Sequence, residues 1–213
     1  MQIRFSLLFI LVSLAACQAL TESHNYDDQR LADKPSRQWT HHNESEISLR
    51  IVVPEGWETY NTSAGIVLNE YMGSNAPDQP LRGFLIHIFV QNLSGFHLPD
   101  WAGRNMAWMV LKQVVHNPDY VGNAIVSEPV GFDWDGHDAA YYLLNNRDGT
   151  VTMLLALDIA DQDNMIVCHV SVPQDQSGRI RELLPGLLAT LTIDGTRIDI
   201  AALETLPQPL EFP

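Results

Sequence analysis

Residues 151–159 read Val-Thr-Met-Leu-Leu-Ala-Leu-Asp-Ile, with Met153, Leu155 and Leu157 on one parity and Leu154 and Ala156 on the other. Successive side chains of an extended chain point to opposite faces, so neither face of this segment can be left in water. A sheet with one wet face would show polar alternation here. Its absence predicts a central strand covered by a layer on each side. Outward from it, Asn146-Arg147-Asp148-Gly149 and Asp161-Gln162-Asp163-Asn164 are turn sequences. Such short connections require antiparallel neighbours, which places strands at 137–144 and 165–172. In the first of these, Tyr141 and Tyr142 point to opposite faces.

Residues 83–90 carry the same two-sided signature: Phe84, Ile86, Ile88 and Val90 share one face, and Leu85, His87 and Phe89 the other. Residues 47–53 alternate as a first strand that Pro54 closes, 66–68 and 124–127 read as short strands, and Asn75-Ala76-Pro77-Asp78 marks a loop. Residues 100–116 are the first helix, with Asp100 placed to cap it and Trp101, Trp108, Leu111 and Val115 at helical spacing. Asn117-Pro118 stops it. Residues 177–191 are a second amphipathic segment, with Ile180, Leu183, Leu184, Leu187, Leu188 and Leu191 on its apolar face. Pro185 costs about 3 kcal/mol inside a regular helix, which predicts a short turn before it and a helix that begins or restarts there. Ile193-Asp194-Gly195-Thr196 reads as a closing hairpin. The fold class is α+β, an antiparallel sheet sandwiched between helices.

Charge narrows the partners. The 26 acidic and 12 basic side chains leave a formal net charge of -14, a surface that repels nucleic-acid phosphates and anionic lipid headgroups. Nucleic acid is excluded as a partner class. The first residues, with Arg4 followed by an apolar run to Leu14, have the layout of an export signal and are too short to span a bilayer. The run ends in Leu14-Ala15-Ala16-Cys17, which closely resembles the bacterial lipobox. That resemblance implies cleavage before Cys17 and acyl chains on its sulfur and amine, enough for lasting attachment to a membrane. The domain plan is then a signal at 1–16, a lipidated start and polar tether at 17–45, a globular domain at 46–202 and an extended tail at 203–213. The expected address is the cell envelope, on the extracytoplasmic side of a bacterial membrane. With Cys17 used, Cys168 stands alone among Ile166, Val167 and Val170, as a buried apolar side chain. His24 and the pair His41-His42 read as solvated spacer residues.

The order of parts resembles the PsbP-like family, which includes small bacterial envelope lipoproteins of the DcrB and LpqN types. The resemblance spans about residues 46–202 and rests on Val53-Pro54-Glu55-Gly56-Trp57, Gly65-Ile66-Val67-Leu68, Gly136-His137-Asp138-Ala139 and a Leu-rich helix feeding a last short strand. It implies an antiparallel sheet between helices and a binding or assembly role without enzyme chemistry.

Candidate chemistry is sparse. There is no Ser elbow, P-loop, dinucleotide fingerprint, H-E-x-x-H or C-x-x-C, so neither an enzyme nor a cofactor is expected. Asp133-Trp134-Asp135-Gly136-His137-Asp138 is the densest polar cluster. It could supply Asp133, Asp135 and His137 to a divalent cation, or simply be an Asp-Gly turn with solvated acids. Asp158, Asp161 and Asp163 form a weaker acidic group. His87 and His169 each interrupt an apolar strand, where a polar ring needs a partner. Were their strands neighbours with faces aligned, the two imidazoles and Asp158 could converge; strand register is not readable from the sequence. Trp57, Trp101, Trp108 and Trp134 read as packing residues, a subset of which could line a groove. Two functions follow: a membrane-anchored, non-enzymatic binding or assembly module for an envelope protein or small ligand, and, as the alternative, a metal-binding or metal-dependent hydrolase lipoprotein built on His87, His169 and the Asp133 to Asp138 cluster.

Overall fold

The computed structural model describes residues 37–42, 47–70, 80–94, 104–159 and 163–213. The signal with Cys17, the first part of the tether, the 75–78 loop, Asp100, Trp101 and Asp161 lie outside the described residues. The strands are β1 (Arg37–His42), β2 (Ser48–Val53), β3 (Glu58–Asn61), β4 (Gly65–Asn69), β5 (Leu85–Asn92), β6 (Ile125–Val126), β7 (Val130–Trp134), β8 (His137–Asn145), β9 (Thr150–Ile159), β10 (Asn164–Pro173), β11 (Thr192–Ile193) and β12 (Thr196–Arg197). The helices are α1 (Met106–Val115), α2 (Pro118–Val121), α3 (Arg179–Leu188) and α4 (Ala201–Glu204).

The main sheet has eight strands in the order β3-β4-β5-β10-β9-β8-β6, with β7 also paired to β8. Every pairing in it is antiparallel. The segment 151–159 is its middle, paired on both sides, and its two parities enter two different cores. Val151, Met153, Leu155 and Leu157 join Ile86, Ile88, Ile166, Cys168 and Tyr141 in the larger core, which β2, α3 and residues of the C-terminal segment cover. Ala156 and Leu154 join Tyr142, Met165, Val167 and Phe89 in the smaller core beneath α1. Met153 and Leu155 are almost wholly buried, each contributing roughly 2 kcal/mol of apolar transfer. The sandwich is therefore an α+β fold with helices on both faces, and a second sheet, ordered β1-β2-β11-β12, shares one face with α3.

Several expectations are corrected. Residues 37–42, placed in the tether, form β1 and pair residue for residue with β2. Trp39 packs on the larger core and its indole N–H donates to Asn61 Oδ1 at 2.8 Å. The polar composition of the strand hid it, because an edge strand needs only one buried anchor. Residues 203–213, expected as an extended tail, bury Leu203, Leu206 and Leu210 in the larger core. Arg181 donates to the carbonyls of Leu203 and Glu204, and Asn145 Nδ2 donates to the carbonyl of Pro213 at 3.2 Å. The globular unit thus extends on both sides of 46–202. Pro185 neither starts nor breaks α3, which runs continuously through it. Burial of Ile180, Leu184, Leu187 and Leu188 on one face outweighs the lost hydrogen bond. The N-cap of α1 is Asn105, whose Oδ1 accepts from Trp108 N at 2.8 Å, while the expected cap, Asp100, lies outside the described residues; Asn105 has a second role. Its Nδ2 donates to the carbonyls of Phe132 and Ala139, so one side chain both caps α1 and fastens it to the β7–β8 hairpin.

Candidate functional site

The face of the sheet beneath α1 and α2 carries a row of residues in register. Val67 pairs with His87, His87 with His169, His169 with Leu154, and Leu154 with Tyr142. The two histidines therefore stand directly opposite each other on neighbouring strands, the arrangement whose register the sequence alone could not fix. Residues two apart along each strand continue the same face: Phe89 and Gln91 on β5, Val167 and Met165 on β10, and Thr152 on β9. Val110, Leu111 and Val114 of α1 and Tyr120 and Val121 of α2 form the opposite wall. Between the walls is a cavity of about 150 Å³.

Its polarity is graded. Phe89, Leu154, Val167 and the helix side chains make one part apolar, while His87, His169, Thr152 and Asn146 supply hydrogen-bonding groups. Most of these are already engaged. His87 Nε2 lies 3.2 Å from Thr62 Oγ1, and the His87 and Phe89 rings are 4.7 Å apart and tilted. Asn146 Nδ2 donates to Thr150 Oγ1 and to Thr152 Oγ1, and Thr152 shares a 2.7 Å hydroxyl contact with Ser171. His169 differs. Its ring lines the cavity and stays partly accessible, while its Nδ1 is buried without a hydrogen-bond partner among the described residues. Burial pushes the imidazole down to about 4, so it is neutral near pH 7. Burial likewise raises the Tyr142 phenol above its ordinary value. Among the described residues that line the cavity none carries a carboxylate, ammonium or guanidinium group.

This burial has a measurable consequence. An unfolded histidine takes its proton near pH 6.5, whereas folded His169 resists it until about 4. Stability present above pH 6.5 is therefore lost as pH falls through that window, by about 3 kcal/mol in all. In urea unfolding between pH 7 and 4, His169→Leu is expected to flatten this part of the profile. Wild-type and variant curves of equal slope would show that the ring protonates freely in the fold.

The other candidate residues lie elsewhere. Asp158 shares the face of His169 but sits opposite Met165, four residues along β10 and so about 13 Å from His169. Its carboxyl is raised first by burial and then by Asp138 and Asp163, with His137 acting in the opposite direction. Asp133 to Asp138 form the β7–β8 hairpin, in which Asp135 and Gly136 both have positive φ. That is the Asp-Gly turn geometry. Asp133 Oδ1 accepts from Gly136 N, Asp135 Oδ2 from Asp199 N, and Asp138 Oδ2 from Met106 N at the start of α1. His137 Nδ1 is buried and lacks a partner among the described residues. Asp138 is two strands and four residues from His169, roughly 16 Å away across the sheet. The geometry therefore divides the five tentative residues between two places: His87 and His169 at the cavity, and Asp133, Asp135 and His137 at the hairpin. Among the described residues no three His, Cys, Asp or Glu side chains group as a metal site.

Cys168 faces the larger core, and burial pushes its thiol up to about 12. Trp57 stacks on Phe84 and Trp134 is buried, its N–H donating to the Asp199 carbonyl at 2.5 Å. Trp108 is half-buried and donates to the Pro129 carbonyl. None of these three lines the cavity. The wall that sequence reading missed is α2, where Asn117-Pro118 ends one helix and also begins the next. Asn117 Oδ1 caps α2 by accepting from Asp119 N, with Pro118 in its first turn; proline just inside a helix start was the available signal. Thr152 and Ser171 were also passed over. Both are buried polar residues flanked by apolar neighbours in their strands.

No known family profile matches the chain, and no curated protein matches it in sequence. Solved structures do. The chain is similar to the cyanobacterial PsbP of Synechocystis, with 12% identity and a TM-score of 0.47 over 82% of this chain and 98% of that one. It is similar to LpqN of Mycobacterium tuberculosis, described as involved in cell envelope biogenesis, with 15% identity and a TM-score of 0.43 over 80% and 99%. It is also similar to the Saccharomyces cerevisiae Ran-binding protein Mog1p, with 10% identity and a TM-score of 0.44 over 79% and 98%. PsbP and LpqN are the kinds of protein that the sequence resemblance named. At these identities the likeness concerns the arrangement of elements.

Proposed function

We propose that this protein is a lipid-anchored, extracytoplasmic binding module of the bacterial cell envelope that holds a small molecule between its central sheet and the α1–α2 pair. The observation that carries this reading is the cavity of about 150 Å³ walled by the two opposed histidines and by apolar side chains. Ligand sites are typically concave and mostly apolar, with few well-placed polar groups. The export signal and lipobox support the address. The net charge of -14 gives the body no attraction for anionic lipid, leaving the acyl chains of Cys17 as the means of attachment. An envelope protein is the partner class such an anchored module would meet.

Solvent extraction of protein purified from its own membranes tests the reading. One organic molecule per chain is expected from the wild type, falling to a small fraction in Leu154→Trp, whose indole would fill the cavity. A wild-type preparation that yields no such molecule, or one that converts it to a new product over time, would overturn a binding role.

A further inference from the structure

We infer that residues 125–134, the edge of the main sheet beside β8, are a docking strand for an extended, positively charged segment of another protein. None of these residues lines the cavity, so this role is independent of the small-molecule site.

Topology sets the first condition. β6 and β7 both lie on the side of β8 away from β9, pairing with residues 144–145 and 137–141. Ser127 joins them along the way: its N–H donates to the Leu143 carbonyl and its hydroxyl accepts from Leu143 N, each at 2.9 Å. Residues 125–134 therefore run along β8 as one edge, and among the described residues no strand pairs with its outer side. Alternate residues of such an edge turn an N–H and a C=O outward, a template for one more strand.

Side chains set the second. The large apolar residues left exposed among the described ones are Ile125 at 42% and Val130 at 47%, and both belong to this edge. Ile125 stands opposite Asn145 and Val130 opposite Tyr141; Asn145 and Tyr141 have the same parity on β8, so the two apolar side chains share one face. Asp133 stands opposite Asp138, of the other parity, and projects from the other face. An edge that had only to be kept from pairing would carry polar groups on both.

Charge names the occupant. Residues 125–136 include Glu128, Asp133 and Asp135 and no Lys or Arg. Glu128 meets Lys112. Asp133 and Asp135 accept backbone N–H groups from Gly136 and Asp199, and neither has a Lys or Arg partner among the described residues. A second copy of this chain would bring the same acids and a net charge of -14 against them, and like charges across a strand pair are destabilising. A strand that alternates apolar and basic residues meets both faces at once: its apolar side chains cover Ile125 and Val130 while its cations reach Asp133.

The test adds two synthetic peptides of about ten residues, one alternating Lys and Val and the other Glu and Val, to the full lipidated chain in nanodiscs of zwitterionic lipid. The Lys-Val peptide is expected to bind about tenfold more tightly than the Glu-Val peptide, to lose affinity as salt is raised, and to slow hydrogen exchange of amides within 130–134. Val130→Lys should weaken it about tenfold by removing the apolar contact and adding a like charge. Asp133→Asn, which keeps an acceptor for Gly136 N, should weaken it severalfold and covers the case in which the lysine variant does not fold. Equal binding of the two peptides, protection of amides elsewhere in the sheet but not here, or affinity unchanged in both variants would overturn the proposal. Slowing of the same amides by self-association without peptide would give the edge to a second copy and overturn the cationic partner.

Discussion

Replacing Cys17 by alanine is expected to reduce incorporation of labelled palmitate from clear labelling to background. The size of this effect follows from the chemistry: a thiol at the start of the mature chain is the acceptor that a lipobox implies, and an alanine side chain has no sulfur to acylate. Each buried CH₂ of an acyl chain contributes about 0.8 kcal/mol, and two or more chains give lasting attachment. Nothing in the acidic body replaces that contribution, given its net charge of -14. Mass spectrometry of the wild-type N-terminal peptide is the companion measurement. An unmodified thiol there, or label that persists in the alanine variant, would remove the anchor from the proposed function.

The second large effect is expected at Gly65. This residue opens β4 and pairs with Phe89 of β5. A Cβ added here would stand 2.0 Å from the Ile88 carbonyl oxygen and 2.6 Å from Phe89 Cα. Both are backbone atoms of a strand held on its other side by β10, so neither can swing away. Gly65→Ala must push β4 off β5, and a loss of about 3 kcal/mol or more is expected, close to a 10 °C fall in Tm for a chain of this size. Gly186 is the internal comparison. It lies within α3, and an added Cβ there meets nothing within 4 Å. Gly186→Ala should leave stability unchanged or raise it by up to about 1 kcal/mol. Thermal unfolding of the two variants beside the wild type decides the matter; equal Tm values would mean that β4 and β5 are not in close register.

Most of the central sheet was legible because its signal is local. Residues 151–159, 165–172 and 83–90 have apolar side chains on both parities, which only a covered strand can tolerate, and the Asn-Arg-Asp-Gly turn fixes the direction of the neighbour. Three parts were hidden for three different reasons. β1 is an edge strand with Trp39 as its apolar anchor, so it carries no run of hydrophobic residues. The segment after Ala202 spreads Leu203, Leu206 and Leu210 among prolines, and its burial depends on contacts with α3 that no local pattern announces. Pro185 gave a true local preference that the apolar face of α3 overrode. The site was half legible in the same sense. His87 and His169 stood out as polar residues in apolar strands, but their meeting required the β5–β10 register, which is set by contacts along the whole length of both strands. The Asp133 to Asp138 cluster looked richer in sequence and proved to be a hairpin whose carboxylates hold backbone N–H groups.

The pairing of His87 with His169 also bears on how the chain avoids mispairing. Were β10 to slip by one residue along β5, its alternate side chains would change faces. His169 and Ser171 would then enter the aliphatic interior, and Cys168 and Val170 would take their places beneath the helices. An imidazole or hydroxyl stranded among hydrocarbon costs on the order of a few kcal/mol, whereas a slip between two uniformly aliphatic strands would cost little. The same ring thus also marks the correct alignment of the two longest-range partners in the sheet, discouraging the shifted assemblies that a two-sided hydrophobic strand would otherwise invite.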